Sequence, residues 1–334
     1  MLKNLRHYSP GIEIKRKLKN ILRISSVKCC YKAVTRLPTQ GYFMDSLNKI
    51  GPKCHEISDF ETVVLNHDAI VVFCDSKSKG NFYENVHLLV QDKGMVTATD
   101  EVSGNKLSVI IFGTDSVSRL NFHRVNPKTY NYLTKELNAL EYGGYNKIGD
   151  NTLPNVLALS TGLTEIEFVD NCTKGSSRPL DNCPFIWKDF HRNGYITSFV
   201  EDSPGIAILS NYLPGFFLQP TDHYTRPGFL AAEEIFKNIN ECFGNKLTYE
   251  VLHAYSQDFE FTYQNRSTFS FIWGTGLTHD NLHMGRFTDE PHTHMLWLIR
   301  NLRENTLKFL TPFDIHETLL DIVHERYNDS SYYY

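Results

Sequence analysis

The stretch Leu107–Asp115, LSVIIFGTD, decides how this chain is read. Val109 to Phe112 form a short continuous apolar run rich in β-branched residues, and Gly113-Thr114-Asp115 closes it. A run of that length and composition is the mark of a strand buried on both faces. Downstream, NPKTYNYLTKELNAL reads as a helix, with Asn126 as N-cap, Pro127 in the first turn and Tyr130, Leu133, Leu137 and Leu140 on one face. Gly143 and Gly144 are expected to end it. PFIWKDFHRNG reads as a second helix stopped by Gly194, YITSFVED as a strand ending in Glu201 and Asp202, and TFSFIWGTG as a further strand followed by LTHDNLHMG. The segment from Glu290 to Glu304 and the stretch TPFDIHETLLDIVHERY read as helices. Strands alternating with helices predict an α/β fold, a sheet covered by helices on both faces.

Working outward, residues 1–105 form a distinct N-terminal portion with short β-like runs, HDAIVVFC and YENVHLLV, and no catalytic motif. The expected organisation is a small β-rich, cysteine-containing portion over 1–105, an α/β domain over 106–327 and a tail over 328–334. The 334 residues carry 34 Lys+Arg against 38 Asp+Glu, a net charge of −4 that implies no general attraction to nucleic acid. No apolar run reaches the roughly 18 residues a membrane span needs. The basic N-terminus, MLKNLRHYSPGIEIKRKLKNILRIS, never becomes the continuous apolar stretch of a secretory signal. The seven cysteines point the other way. Cys29, Cys30, Cys54 and Cys74 crowd the first quarter and Cys172 and Cys183 flank a Gly-Ser-Ser loop, without any Cys-x-x-Cys, which reads as disulfides rather than metal sites. Three Asn-x-Ser/Thr triplets, at Asn171, Asn265 and Asn328, are compatible with secretion. An odd count leaves at least one thiol unpaired or its partner absent.

The polar residues gather just beyond strand ends, at Asp115, at Glu201-Asp202 and at His279-Asp280-His283. In an open α/β sheet that is the crevice where ligands bind. Thr152 follows Asp115 by 37 positions within GDNTLPNVLALSTGL and precedes Pro154, which suits a helix's first turn. Thr152 reads either as a cap for that helix or as a hydroxyl seated where free N–H groups attract an anion such as phosphate.

TDSVSRLNFHRVNPKTYNYL and YNKIGDNTLPNVLALSTG resemble the opening motifs of the domain-of-unknown-function 229 family, a branch of the alkaline phosphatase superfamily. The resemblance covers roughly residues 25 to 325. It implies an alkaline phosphatase-like three-layer α/β/α sandwich and a metal-dependent hydrolase or phosphotransferase acting on phosphoric or sulfuric esters. Sulfatases of that superfamily carry a nucleophile, then x-Pro-Ser-Arg and a short apolar run ending in Leu-Thr-Gly. TLPNVLALSTG fits that frame and puts Thr152 at the nucleophile, with Asn155 and Val156 in place of Ser-Arg. That replacement, and a threonine where a formylglycine sulfatase needs Cys or Ser, point away from a sulfatase. By the same resemblance two divalent metals, zinc by type, occupy the site. Asp115 and Thr152 would be ligands of one, with His279 and His283 of GLTHDNLHMG as further ligands, and Arg119 and Asn155 would contact substrate oxygens. Spaced as His-x-x-x-His, the two imidazoles can share one helix face, which suits zinc.

The superfamily's second metal loop, Ser-Asp-His-Gly, follows a strand beginning Asn-Thr-Leu. Here RENTL, Arg303 to Leu307, runs directly into KFLTPFDIHETLLDIV, and no Asp-His-Gly occurs in the chain. The expectation is that an internal segment is missing near 307–311. An alternatively spliced product, an incomplete gene model or a decayed paralogue would each account for it. Asp314 and His316, although near in sequence, belong to a helix that packs in the family. The alternative reading is therefore a catalytically inactive secreted protein that binds a partner or glycan through the retained cleft.

Overall fold

A computed structural model describes residues 27–39, 43–57, 66–93, 106–174, 178–295 and 311–326; the 303–307 stretch, the suspected junction near it and the 328–334 tail lie outside these. The first sheet is antiparallel. Strand β1 (Lys28–Arg36) pairs with β2 (Asn48–Ile50), β3 (His55–Ile57) and β4 (Ala69–Ser76), and β4 pairs in turn with β5 (Gly80–Leu88). The Cys29–Cys74 disulfide links β1 to β4 where those residues are register partners, and Cys30–Cys54 ties β1 to the turn before β3. With Cys172–Cys183 these account for six of the seven cysteines and leave Cys242 as an exposed free thiol.

The second sheet is parallel throughout. It comprises β6 (Val109–Thr114), β7 (Ile196–Glu201), β8 (His223–Tyr224) and, beyond the small hairpin of β9 (Cys242–Phe243) and β10 (Lys246–Leu247), β11 (Thr268–Gly274). The order is β6-β11-β7-β8, so the last strand in sequence is inserted between the first two. LSVIIFGTD, YITSFVED and TFSFIWGTG thus become neighbouring strands, each apolar on both faces.

Helices cover both faces. In chain order they are α1 (Arg119–Val125), α2 (Pro127–Asn131), α3 (Thr152–Thr161), α4 (Glu165–Phe168), α5 (Ile186–Arg192), α6 (Arg226–Phe236), α7 (Thr248–Thr262), α8 (Asp289–Met295) and α9 (Pro312–Val323). On one face Val156, Leu157 and Leu159 of α3, Trp187 and Phe190 of α5, and Leu319 and Val323 of α9 pack against Phe199, Phe269 and Phe271 of the strands. Trp187 stacks on Phe185 with ring centroids 4.3 Å apart. The opposite face sets Leu252, Tyr255 and Phe259 of α7 against Ile196, Val200 and Ile272. Alternate residues of the same strands feed the two cores, as a period of two requires. The mixed α/β layering expected from the sequence is present. Helix α6 covers the first sheet instead, placing Phe229, Ala231 and Ala232 on Val34, Ala69, Val71 and Val86.

One predicted element is shorter than expected. The helix beginning at Pro127 widens to a π turn over Tyr132–Glu136, and Asn138, with a φ of 51°, turns the chain left-handed before Gly143 is reached. Asn tolerates that conformation better than most residues, which makes it a stop signal.

A buried polar seam joins the two sheets. Asp45, in the loop after β1, accepts hydrogen bonds from Arg36 Nε (2.8 Å) and Tyr224 OH (2.6 Å), while Arg226 Nε donates to the Asp45 carbonyl (2.7 Å). Glu201 lies at its edge and accepts the Ile208 N–H at 2.6 Å. Burial pushes the Glu201 carboxyl from its ordinary 4.5 up to about 7; Arg226 and the Ile208 N–H oppose this and Asp202 and Asp45 add to it. The folded chain therefore holds this proton up to about pH 7, whereas the unfolded chain releases it near 4.5. The stability contributed is complete below pH 4.5 and is lost as pH rises through about 7, a change of about 3 kcal/mol. Glu201→Gln keeps an acceptor for Ile208 and should flatten this slope: melting temperatures measured from pH 4.5 to 8 should fall with pH in the parent and less steeply in the variant.

Candidate active site

Parallel pairing sets three strand tips level. Gly274 is in register with Thr114 of β6 and Trp273 with Glu201 of β7, so Asp115, Thr275 and Asp202 leave the sheet side by side. The close pairing of β6 and β11 depends on Gly113, because a Cβ there would meet the Trp273 ring at 1.9 Å. The tip of β11 is held from three directions. Asp115 N–H donates to the Gly274 carbonyl at 2.9 Å and Tyr249 OH to the same carbonyl at 2.7 Å. The Asp202 carboxylate accepts the Thr275 N–H at 2.8 Å and that of Gly276 at 3.2 Å. Asp202 is fully buried, and desolvation raises its carboxyl to about 6 despite these N–H donors.

Asp115 is 5% exposed and is followed by Ser116 at a φ of 57°, an uncommon conformation for a residue with a Cβ that bends the chain sharply off the strand. Onto this carboxylate comes Thr152. Its Oγ1 donates to Asp115 Oδ1 at 2.8 Å. Thr152 is the first residue of α3 rather than its cap; Asn151 occupies the N-cap and makes no side-chain capping bond. The two residues singled out in sequence, 37 positions apart, are in direct contact.

Asn155 builds the approach to Thr152. Its Oδ1 accepts the Ile148 N–H at 2.8 Å, and its Nδ2 donates to the carbonyls of Gly149 (2.9 Å) and Asn151 (2.7 Å). Gly149 lies so close to Pro154 that a Cβ would approach the proline ring at 2.5 Å. GDNTLPN is thus a loop folded onto the first turn of its own helix, with Asn155 as the staple. At the other end of α3, His316 Nδ1 lies 3.0 Å from the Leu159 carbonyl, so this histidine serves packing.

The remaining candidates have other partners. Arg119 is half exposed and bonds Glu141 at 2.6 Å, a carboxylate that also collects His123 Nε2 and Tyr130 OH. Residues 279–283 form bends and turns rather than the helix that would align two imidazoles. His279 faces Asp280 at 2.7 Å, and His283 is exposed, its N–H bonded to Asn281 Oδ1. The loop itself is tied to the tip of β11, because His279 N–H donates to the Thr275 carbonyl. Asp115 and Thr152 supply two oxygen donors suited to a hard divalent cation. Among the described residues no group of three or more His, Cys, Asp or Glu that could hold a metal ion comes together.

Several supports of the site carried no local signal. Tyr249, in the first turn of α7, fixes the β11 tip from 25 positions away. Asp289 of α8 accepts the N–H groups of Lys128 and Thr129 and so caps α2 across the chain. Asn126 occupies the N-cap of that helix as expected, but its side chain makes no capping bond and donates from Nδ2 to Thr288 at 2.7 Å.

The chain matches the family described as "Protein of unknown function (DUF229)" over residues 3–299 and belongs to that family. No curated protein and no solved structure matches it.

The staple has a measurable role. Asn155→Ala removes three hydrogen bonds from a half-buried amide and should cost about 1–3 kcal/mol in denaturant titrations. Hydrogen exchange at the Ile148 amide should accelerate in the same variant, and Asn155→Asp, which keeps that acceptor, should be protected more than Asn155→Ala.

Proposed function

We propose that the edge at the strand tips is an ester-hydrolysing or phosphoryl-transferring site, with Thr152 as the nucleophile and Asp115 as the group that orients it. The observation carrying this reading is the 2.8 Å hydrogen bond from Thr152 Oγ1 to Asp115 Oδ1 at the start of α3. Fold and family membership alone do not assign a reaction; a particular set of groups does.

The chemistry follows from the placement. A threonine hydroxyl is a weak nucleophile until its proton is drawn off or held elsewhere. The Asp115 carboxylate accepts that hydrogen and aims the oxygen lone pairs away from the strand. The first turn of α3, free of a side-chain cap, presents backbone N–H groups and the positive end of the helix dipole to a tetrahedral anion. That environment favours a phosphate or sulfate ester as substrate and opposes the departure of the bound anion while Oγ1 attacks. A divalent cation on Asp115 and Thr152, zinc by the resemblance to this superfamily, would favour the alkoxide and neutralise developing charge. The loop 276–283, anchored through Thr275, is the segment through which His279 and His283 would reach such a cation.

A second reading is that the site binds an ester-bearing partner or glycan without turning it over, and it is supported by the sequence, in which no Asp-His-Gly of the superfamily's second metal loop occurs. The three disulfides are compatible with an extracellular setting for either reading.

The test is turnover of p-nitrophenyl phosphate, bis-p-nitrophenyl phosphate and p-nitrophenyl sulfate with zinc or manganese present. Thr152→Ala should reduce kcat/KM by more than about a hundredfold while Thr152→Ser retains part of it. Unchanged turnover in Thr152→Ala removes the nucleophile assignment. A parent protein that holds no zinc or manganese after dialysis against either ion, and turns over none of the three esters, supports the second reading.

A further inference from the structure

We propose that Asn265 carries an N-linked oligosaccharide, a modification at the end of the sheet opposite the Asp115–Thr152 pair. The triplet Asn265-Arg266-Ser267 occupies the turn between α7 and β11. Asn265 is exposed there, whereas Ser267 is 5% exposed, its carbonyl accepting the Ile196 N–H and its hydroxyl bonded to the Lys106 carbonyl. The chemistry needs the serine hydroxyl while the chain is still open and needs only the asparagine to remain outside once it has folded. This turn meets both conditions: the serine becomes the base of β11 and the asparagine stays in solvent.

The two other triplets are less well suited. Cys172, between Asn171 and Thr173, is a buried half-cystine of the Cys172–Cys183 bridge, and Asn328 lies outside the described residues. Position also distinguishes Asn265. Strand β11 runs seven residues from this turn to the tip at Gly274. At about 3.3 Å per residue, the glycan stands roughly 20 Å from the Asp115–Thr152 pair and leaves it uncovered.

In the transfer, Asn265 Nδ2 bonds to the anomeric carbon of a lipid-diphosphate-linked oligosaccharide. The bond from that carbon to the diphosphate oxygen breaks, the amide gives up one proton to solvent, and the lipid diphosphate departs with the bonding electrons. The same oxidising compartment that forms the three disulfides supplies this donor.

The full chain, expressed in insect cells behind an added secretion leader, provides the test. Secreted and cell-retained protein are treated with peptide N-glycosidase in ¹⁸O-water, and the chymotryptic peptide Gln264–Phe269 is read by mass spectrometry. The expected result is ¹⁸O-labelled Asp at position 265, lost in Asn265→Gln and kept in Ser267→Thr, which preserves the hydroxyl. Unlabelled Asn265 in both fractions of the parent protein overturns the proposal.

Discussion

Everything at the strand-tip edge depends on the in-register parallel pairing of β11 with β6 on one side and β7 on the other. A slip of one residue would turn every strand side chain to the opposite core and carry Asp115 and Asp202 off the common edge. The apolar runs prevent that slip because both faces are filled: Phe269 and Phe271 face one helical layer and Ile272 the other. The hydrophobic effect thus sets the height of the strand tips. Polar groups only finish the job, through Tyr249 and Asp202, which take up the loose backbone groups of Gly274, Thr275 and Gly276.

Given that edge, Thr152 needs its own device, since it arrives from a loop. Ile148, Gly149 and Asn151 of the loop are hydrogen-bonded to Asn155, which lies one turn into the helix they precede, so the loop is tied to its own helix. The apolar residues behind the first turn, Val156 to Leu159, are buried against the sheet. A rigid helix start brought to a rigid strand tip is how two residues 37 positions apart are held within hydrogen-bond distance.

The parts of this arrangement that could be read from sequence are those governed by local pattern. Buried strands announce themselves by short β-branched runs, and Pro154 marks a first turn, so β6, β7, β11 and α3 were all legible, together with the Asp115 and Thr152 positions. The cysteines were legible as a class but not as pairs, because connectivity is a property of the folded chain. What escaped is non-local. Asp289 caps α2 from 160 positions away, and nothing near Lys128 or Thr129 encodes that. The motif gave no sign that the Asn155 amide is engaged by three backbone groups of its own loop. His279 and His283 have helical spacing, but spacing aligns side chains only where a helix forms, and here the chain bends.

The three strand-tip carboxylates also differ in what their oxygens bond. Glu201 and Asp202 are both deeply buried, and both spend their oxygens on backbone N–H groups, Ile208 for one and Thr275 and Gly276 for the other. Desolvation raises both carboxyls towards neutrality, which suits groups that hold loops in place. Asp115 differs in the partner of its carboxylate rather than in burial. Its backbone N–H holds the sheet, while its side chain receives a hydroxyl that is itself half-buried at a helix start. An acid whose partner is a side-chain hydroxyl is differently employed from one whose partner is an amide fixed in the main chain. That distinction, drawn from the bonding of each oxygen, is what singles out Asp115 and Thr152 from the other polar groups on the same edge.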